Sequence, residues 1–118
     1  MTTEQKFKID EYPILANRGE VHEFIETNGE RRGKRVLIVS AQRRNRDRLV
    51  SVMFLQDRAS RVSSAAISVS DTEEQYVNGG LVTYCARTCI GDYIYTAKPD
   101  EMKMVDKIIC EELGIARS

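Results

Sequence analysis

The sequence lacks several features that would point directly to a particular chemistry. It has no tryptophan, one histidine and three cysteines among its 118 residues. It also has no CxxC pair, no HExxH helix and no glycine-rich phosphate loop, so zinc-dependent hydrolysis and nucleotide binding through these motifs have no support. The single histidine, His22, leaves no second imidazole for a two-histidine acid–base pair, and we interpret it as a structural residue within a strand.

Long apolar runs are also missing. No stretch approaches the roughly 18 consecutive apolar residues that a membrane-spanning helix needs, and residues 1–10 are polar and mixed in charge, unlike a signal peptide. Cys85, Cys89 and Cys110 are odd in number and have apolar neighbours, which is typical of buried thiols in a reducing compartment. We therefore expect a cytoplasmic protein with a single domain.

Net charge is zero overall, but the basic residues are concentrated in one segment. The chain has 18 basic and 18 acidic residues. Between Glu30 and Arg48 there are eight basic and two acidic residues, which gives this segment a charge of +6. The eight are Arg31, Arg32, Lys34, Arg35, Arg43, Arg44, Arg46 and Arg48. Such a patch indicates a polyanion site, with RNA or DNA as the first candidate, although solvated loops between strands are the alternative.

Hydrophobic periodicity predicts a domain that is mainly β. Short apolar runs rich in β-branched residues alternate with glycine and asparagine turn signals. The predicted strands cover residues 20–26, 34–41, 48–55, 62–69, 81–89 and 93–96, and Ser70 or Asp71 is predicted to cap a short helical turn. Residues 1–17 fit no single period and are predicted to be an N-terminal extension to a domain of residues 18–118.

One helix is predicted near the C-terminus. Pro99 is suited to its first position, and acidic residues in the first turn favour the helix dipole. Gly114 is suited to end it. The apolar residues recur at helical spacing and are predicted to pack on the sheet; they are Met102, Val105, Ile109 and Leu113. Together these elements predict a small, curved or barrel-like antiparallel sheet with a C-terminal helix.

Several of these segments, in this order, resemble the MazF/PemK family of RNA-cleaving toxins from bacterial toxin–antitoxin modules. The sequence Arg-Gly-Glu-Val at residues 18–21 resembles the opening strand of the family. The residues from Glu30 to Arg35 match its Glu-x-x-Gly-x-Arg spacing, with Val36 where proline is usual. Arg87 and Thr88 match the end of a Gln-x-Arg-Thr-like element, and the predicted helix follows. The resemblance covers about residues 18–115.

The resemblance implies an SH3-like β-barrel that forms a homodimer and cleaves single-stranded RNA in a sequence-specific manner, without a metal or other cofactor. The RNA 2′-hydroxyl would be the nucleophile, and Arg35 would stabilise the charge that builds on the phosphorus. Glu30 would take part in proton transfer. An acidic antitoxin peptide would cover the same groove. The candidate RNA-binding residues are Arg31, Arg32, Lys34, Arg43, Arg44, Arg46, Arg48 and Gln56.

One departure from the family affects the proposed chemistry. The family usually has a serine or threonine just after its third strand, and this sequence has Gln56 and Asp57 there. The alternative is therefore a barrel that has lost cleavage and binds nucleic acid or a protein. Arg35 then becomes a solvated arginine at a strand start, and Glu30 a loop carboxylate paired with a neighbouring arginine. Similarly, the tyrosines Tyr84, Tyr93 and Tyr95 either stack on bases or pack across strands.

Overall fold

A five-stranded antiparallel sheet forms the centre of the fold. The computed structural model describes residues 16–40, 49–60, 63–79, 82–112 and 114. The strands of this sheet lie in the order β6-β3-β2-β1-β7. They are β1 (Glu20–Ile25), β2 (Arg31–Ile38), β3 (Leu49–Phe54), β6 (Val82–Ala86) and β7 (Ile90–Thr96). The predicted fold class, a mainly β antiparallel domain with a C-terminal helix, is confirmed.

A second, two-stranded sheet is formed by β4 (Ser64–Ser68) and β5 (Glu74–Asn78). The sequence analysis predicted a helical turn after Ser70, and this was wrong because residues 70–72 are bends that lead into β5. Strand β5 was missed because only Val77 is buried in it, so its stability comes from pairing with β4. An antiparallel bridge between Gln56 and Tyr76 joins this sheet to the segment after β3.

Strand β2 begins and ends earlier than predicted, and it contains an irregularity. Glu23 pairs with Arg35, whereas Ile25 pairs with Arg31, so β2 has two extra residues over this interval. Gly33 lies inside the interval with a φ of 75°, a conformation that glycine adopts without steric cost. The residues from Arg31 to Lys34 are exposed, and Val36 to Ile38 are buried. The basic half of the strand is therefore on the surface, and the apolar half enters the core.

Successive side chains along the central strands point to opposite faces of the sheet, and this alternation divides the core into two clusters. Leu37 and Met53 face one cluster, and Val36 and Val52 face the other. The first cluster lies between the central sheet, the two-stranded sheet and the helix, and it includes Val21, Ile67, Val77, Val105 and Ile108. In the second, Phe24 and Phe54 make an edge-to-face contact with ring centroids 4.8 Å apart.

Helix α1 (Pro99–Glu112) follows the predicted start and end signals. The Glu101 carboxylate accepts hydrogen bonds from the Lys98 backbone N–H and from the Tyr95 hydroxyl through Oε1, both at 2.8 Å. Its Oε2 accepts from the Ser68 N–H, also at 2.8 Å. One residue thus caps the helix and anchors it to β4 and β7. Gly114 has a φ of 71°, as expected of a residue just after a helix end. No helix among the described residues is long and apolar enough to cross a membrane.

The predicted boundary between β6 and β7 was wrong. Cys89 lies in a 3₁₀ turn rather than on the strand that contains Cys85, and Gly91 and Asp92 lie inside β7 rather than in a turn. Gly91 is needed there because a Cβ atom would lie 3.1 Å from the Glu23 carbonyl oxygen and from the Ile25 side chain. Of the predicted N-terminal extension, residues 1–15 lie outside the described part of the chain.

The Arg18–Gly19 turn connects the start of β1 to three other elements. The Gly19 N–H donates to the Ile38 carbonyl, and the Gly19 carbonyl accepts from the Ala97 N–H, both at 2.8 Å. Arg18 donates from Nε to the Val39 carbonyl at 3.1 Å and forms an ion pair with Asp106 of α1. Gly19 has a φ of 93°, so a side chain at this position would be strained. This motif therefore has a structural role.

Candidate functional site

Arg35 lies where β2 passes from the surface into the core. Its backbone carbonyl accepts a hydrogen bond from the Leu55 N–H at 3.0 Å, and its neighbour Val36 is fully buried. The Arg35 side chain is 28% exposed, about half the exposure of the other β2 cations. Its stem is therefore mostly covered while its guanidinium remains within reach of solvent.

The guanidinium of Arg35 contacts two residues from the two-stranded sheet and its approach. Its Nη1 donates to Gln75 Oε1 at 3.1 Å and lies 3.0 Å from Glu73 Oε1. Gln75 in turn donates from Nε2 to Asp57 Oδ1 at 2.9 Å. Glu73 and Gln75, which contact Arg35, were not among the predicted site residues, and neither was Asp57. Because strand β5 was not predicted, no sequence signal placed Glu73 or Gln75 near Arg35.

The other described basic residues of β2 also have acidic partners. Arg31 pairs with Glu23 and, at 3.5 Å, with Asp92. The Lys34 ammonium lies 3.3 Å from Glu26. These basic side chains are each 52% exposed. Because both cations are half exposed, a phosphate can exchange with the carboxylates on the solvent side, although Glu23 and Glu26 are only 22% and 26% exposed and leaving them without a partner has a desolvation cost. The surface is thus a set of exchangeable cations rather than an uncompensated patch.

Glu30 is engaged by Arg32 rather than by Arg35. Its Oε2 accepts from Arg32 Nε at 3.0 Å and from Arg32 Nη2 at 2.7 Å. The Arg32 and Glu30 side chains are 61% and 53% exposed. This is the pairing that the alternative interpretation of the sequence expected. The structure thus gives the two predicted catalytic residues different partners.

The remaining predicted RNA-binding residues fall into two groups. Gln56 is exposed and immediately precedes Asp57, and its backbone forms the bridge with Tyr76 through hydrogen bonds of 2.7 and 2.8 Å. The arginines of the second basic loop lie outside the described residues; they are Arg43, Arg44, Arg46 and Arg48.

His22 has a structural environment. It is fully buried on β1. Its Nδ1 lies 3.0 Å from the Gly91 carbonyl oxygen, and its Nε2 lies 2.9 Å from Glu20 Oε1. Burial by itself raises the pKa of Glu20, but hydrogen bonds with His22 and Asn17 outweigh it and hold the pKa below its ordinary value. The His22–Glu20 pair thus links the start of β1 to β7.

The cysteines and tyrosines differ in their exposure. Burial raises the pKa of the Cys85 thiol to about 11, with a smaller contribution from Cys89, so Cys85 is a poor nucleophile. Tyr84 and Tyr93 are 64% and 49% exposed. The Tyr95 hydroxyl instead donates to Glu101.

In the part of the chain that the structure describes, no group of three or more His, Cys, Asp or Glu side chains is arranged to hold a metal ion.

Comparison with solved structures identifies the fold. An endoribonuclease in complex with its cognate antitoxin, from a mycobacterial species, has a TM-score of 0.73 and 26% identity, over 88% of this chain and 98% of that chain. The chain has the MazF fold. A second mycobacterial endoribonuclease gives a TM-score of 0.74 and 24% identity, over 89% of this chain and 97% of that one.

A MazE–MazF structure from Deinococcus radiodurans supports the same fold, with a TM-score of 0.72 and 16% identity over 87% of this chain and 99% of that chain. No protein-family model and no curated protein matches the sequence. The resemblance inferred from the sequence is therefore confirmed by the three-dimensional comparison.

Proposed function

We propose that this MazF-fold protein is an endoribonuclease toxin that cleaves single-stranded RNA at preferred sequences. The observation that carries the proposal is Arg35, a cation held by hydrogen bonds at the edge of the core in a fold shared with endoribonucleases. The RNA 2′-oxygen attacks the adjacent phosphorus, the bond from phosphorus to the 5′-oxygen breaks, and a 2′,3′-cyclic phosphate and a 5′-hydroxyl result.

In this mechanism Arg35 stabilises the negative charge that develops on the phosphoryl oxygens. The proton of the 2′-hydroxyl passes to a base, and a proton is supplied to the leaving 5′-oxygen. Glu30 is the second catalytic candidate, and its Oε2 accepts both hydrogen bonds from Arg32. The reaction as proposed requires no metal ion.

The basic residues of β2 and of the following loop are proposed to bind the RNA backbone. Arg31, Arg32 and Lys34 exchange their carboxylate partners for phosphates. The four arginines of the second basic loop and Gln56 are proposed to contact the same RNA backbone. We further propose that the protein acts in the cytoplasm as a homodimer. Because the mycobacterial neighbour is bound to its cognate antitoxin, we propose an antitoxin whose acidic segment covers Arg35.

A specific observation favours a second candidate function. The position after β3 that usually has a hydroxyl in the family holds Gln56, and the next residue, Asp57, is bonded to Gln75. A carboxylate linked to Arg35 through Gln75 opposes the additional negative charge that develops on the phosphoryl oxygens during cleavage. A MazF-fold module that binds nucleic acid or a protein without cleavage is therefore the alternative.

RNA cleavage in EDTA separates the two candidates. The purified protein is incubated with single-stranded RNA, alongside Arg35→Ala and Lys103→Ala, the latter an exposed helix residue. The nuclease proposal expects cleavage with cyclic phosphate ends by the wild type and Lys103→Ala, and its loss in Arg35→Ala. Salt-sensitive RNA binding without cleavage by any of the three proteins would favour the binding module. The absence of both activities would overturn the nuclease and the nucleic-acid-binding module and would leave a protein as the partner.

A further inference from the structure

Gln75 connects two charged residues of opposite sign. An arginine side chain only donates hydrogen bonds and a carboxylate only accepts them. The Gln75 amide does both, accepting from Arg35 through Oε1 at 3.1 Å and donating to Asp57 through Nε2 at 2.9 Å. The orientation of the amide is fixed by these two neighbours, because the reversed orientation would place donor against donor and acceptor against acceptor.

The backbone holds Asp57 and Gln75 opposite each other. Gln56 and Tyr76 form the antiparallel bridge with two hydrogen bonds, and Asp57 and Gln75 are the next facing pair in the same register. Facing residues in an antiparallel pair have Cβ atoms about 5 Å apart, which suits a direct side-chain contact. The hydrogen bond itself is exposed to solvent, and the junction between the two sheets brings its two residues together.

We propose that Asp57 and Gln75 form a positioning relay for Arg35. The inference rests on the proposed function. It also gives a role to the residues after β3, where this sequence departs from the family, because Asp57 supports Arg35 through Gln75. Gln75 is neutral, so it orients the guanidinium without competing for its charge, whereas Glu73 does compete. When a phosphate displaces Glu73, Gln75 and Asp57 keep the guanidinium in place.

The physical benefit is preorganisation. A cation aimed beforehand at the position where charge develops pays no reorganisation cost during the reaction, and small misplacements of a catalytic group reduce rates strongly. Loss of the relay should therefore reduce the rate of the chemical step more than the binding of RNA. This expectation distinguishes a positioning role from a contribution to binding alone.

The test is a set of matched variants of the full chain in the RNA cleavage assay. Gln75→Met removes both hydrogen bonds at similar size, and we expect kcat to fall roughly 10- to 100-fold with KM changed by less than about threefold. Asp57→Ala should reduce kcat to a lesser extent and should have no added effect in the Gln75→Met background. Asp57→Asn keeps an acceptor for Gln75 Nε2 and should restore the rate.

Tyr76→Phe is the control, because its hydroxyl donates to Glu74 and takes no part in the relay. This variant retains the backbone bridge and should retain wild-type kcat. Thermal unfolding of all variants identifies any that fail to fold. If Gln75→Met fails to fold, the kcat of Asp57→Asn is compared with that of Asp57→Ala instead. Equal kcat for wild type and folded Gln75→Met, or additive losses in the double variant, would overturn the relay.

A second measurement separates the relay from the proposed function. The guanidinium ¹⁵N–¹H resonances of Arg35, assigned by their loss in Arg35→Lys, report its rotation without any need for cleavage. The relay predicts faster guanidinium rotation in Gln75→Met and Asp57→Ala, but not in Asp57→Asn or Tyr76→Phe. If the wild type does not cleave RNA while these resonances change as expected, the nuclease proposal fails and the relay stands. Unchanged resonances would overturn the relay.

Discussion

Arg32 and Arg35 lie three residues apart on β2, and both have a glutamate partner within about 3 Å, yet their environments differ. Arg32 pairs with Glu30, two residues away in the sequence, and both side chains are more than half exposed. Arg35 is 28% exposed and its partners, Glu73 and Gln75, lie on the approach to β5 and on β5 itself. An arginine held by a distant element has a defined position, whereas one held by its neighbour keeps most of its freedom.

This difference divides the predicted site into a positioned cation and exchangeable cations. Arg31, Arg32 and Lys34 have the character of a phosphate-binding surface, because the three basic side chains are more than half exposed. Arg35 has the character of a residue that stabilises charge at one place, because Gln75 and Glu73 hold its guanidinium and the Leu55 N–H holds its backbone carbonyl. Substitutions in the two groups should therefore have different kinetic consequences.

The largest expected effect is that of removing the positioned cation. Arg35→Ala should lower kcat for RNA cleavage about 10²- to 10³-fold, because the charge on the phosphorus loses its stabilising group. Arg32→Ala should instead raise KM a few-fold, since it removes one backbone contact. Steady-state kinetics on a short fluorescent RNA measures both. Comparable losses of kcat in the two variants would show that the division is incorrect.

Removal of the competing carboxylate should have a smaller effect of opposite sign. Glu73→Gln keeps the size of the side chain but removes its charge, so a phosphate no longer competes with an anion for Arg35. Because Glu73 is 45% exposed, we expect RNA binding to tighten by no more than about fivefold. Fluorescence anisotropy with a non-cleavable 2′-deoxy substrate analogue measures this change in affinity.

Glu74→Gln is the matched control for this measurement. Glu74 is the adjacent exposed carboxylate and accepts a hydrogen bond from Tyr76 rather than from Arg35. Glu74→Gln should change the affinity for RNA less than Glu73→Gln does. Equal gains in the two variants would mean that only the overall charge matters.

The exchangeable cations should be recognised by the salt dependence of binding. For single-stranded nucleic acid, each phosphate contact contributes about 0.7 to the slope of log K against log salt concentration. Arg31→Ala, Arg32→Ala and Lys34→Ala should each reduce the slope by about this amount and weaken binding similarly for all RNA sequences. An unchanged slope in all three variants would remove β2 from the RNA-binding surface.

The smallest effect concerns the His22–Glu20 pair on β1. Because the pKa of Glu20 is held below its ordinary value of 4.5 in the folded protein, the ionised carboxylate stabilises the fold above about that pH. This stabilisation is lost as the pH falls through the lower, folded pKa. Glu20→Gln should therefore lower the free energy of unfolding at pH 7 by on the order of 1 kcal/mol, with a difference that shrinks below pH 4.5.

Urea denaturation at a series of pH values measures this dependence. Glu111→Gln, an exposed substitution on α1, serves as the control. Its free energy of unfolding should differ from that of the wild type by an amount that changes less with pH. A Glu20→Gln difference that grows on acidification would contradict a lowered pKa of Glu20 in the folded protein.

Elements with local signals were predicted well. Helix α1 depends on Pro99, Glu101 and Gly114, whose effects act within one or two turns, and its observed bounds agree with them. Strands β1 and β3 also agree to within about one residue, since each has a short apolar run between polar segments. The family resemblance rested on the same local motifs.

Elements that depend on distant pairing were predicted poorly. Strand β5 is polar apart from two residues, Tyr76 and Val77, and forms because β4 supplies its hydrogen bonds. Gly91 resembles a turn residue in the sequence, but it is in β7 because β1 approaches it closely. The early start of β2 likewise results from pairing with β1 across an irregularity that a period of two does not reveal.

The sequence by itself determined the mainly β composition, the helix and the identity of the cations, because these follow from residue type and short-range spacing. Only the tertiary structure decided which cation is positioned. Arg35 is separated from Gln75 by 40 residues and Gln75 from Asp57 by 18, and no local pattern relates positions that far apart. Their contact exists because the bridge between Gln56 and Tyr76 brings the two sheets together, and hydrogen bonding across that junction then selects Arg35 from among the basic residues of β2.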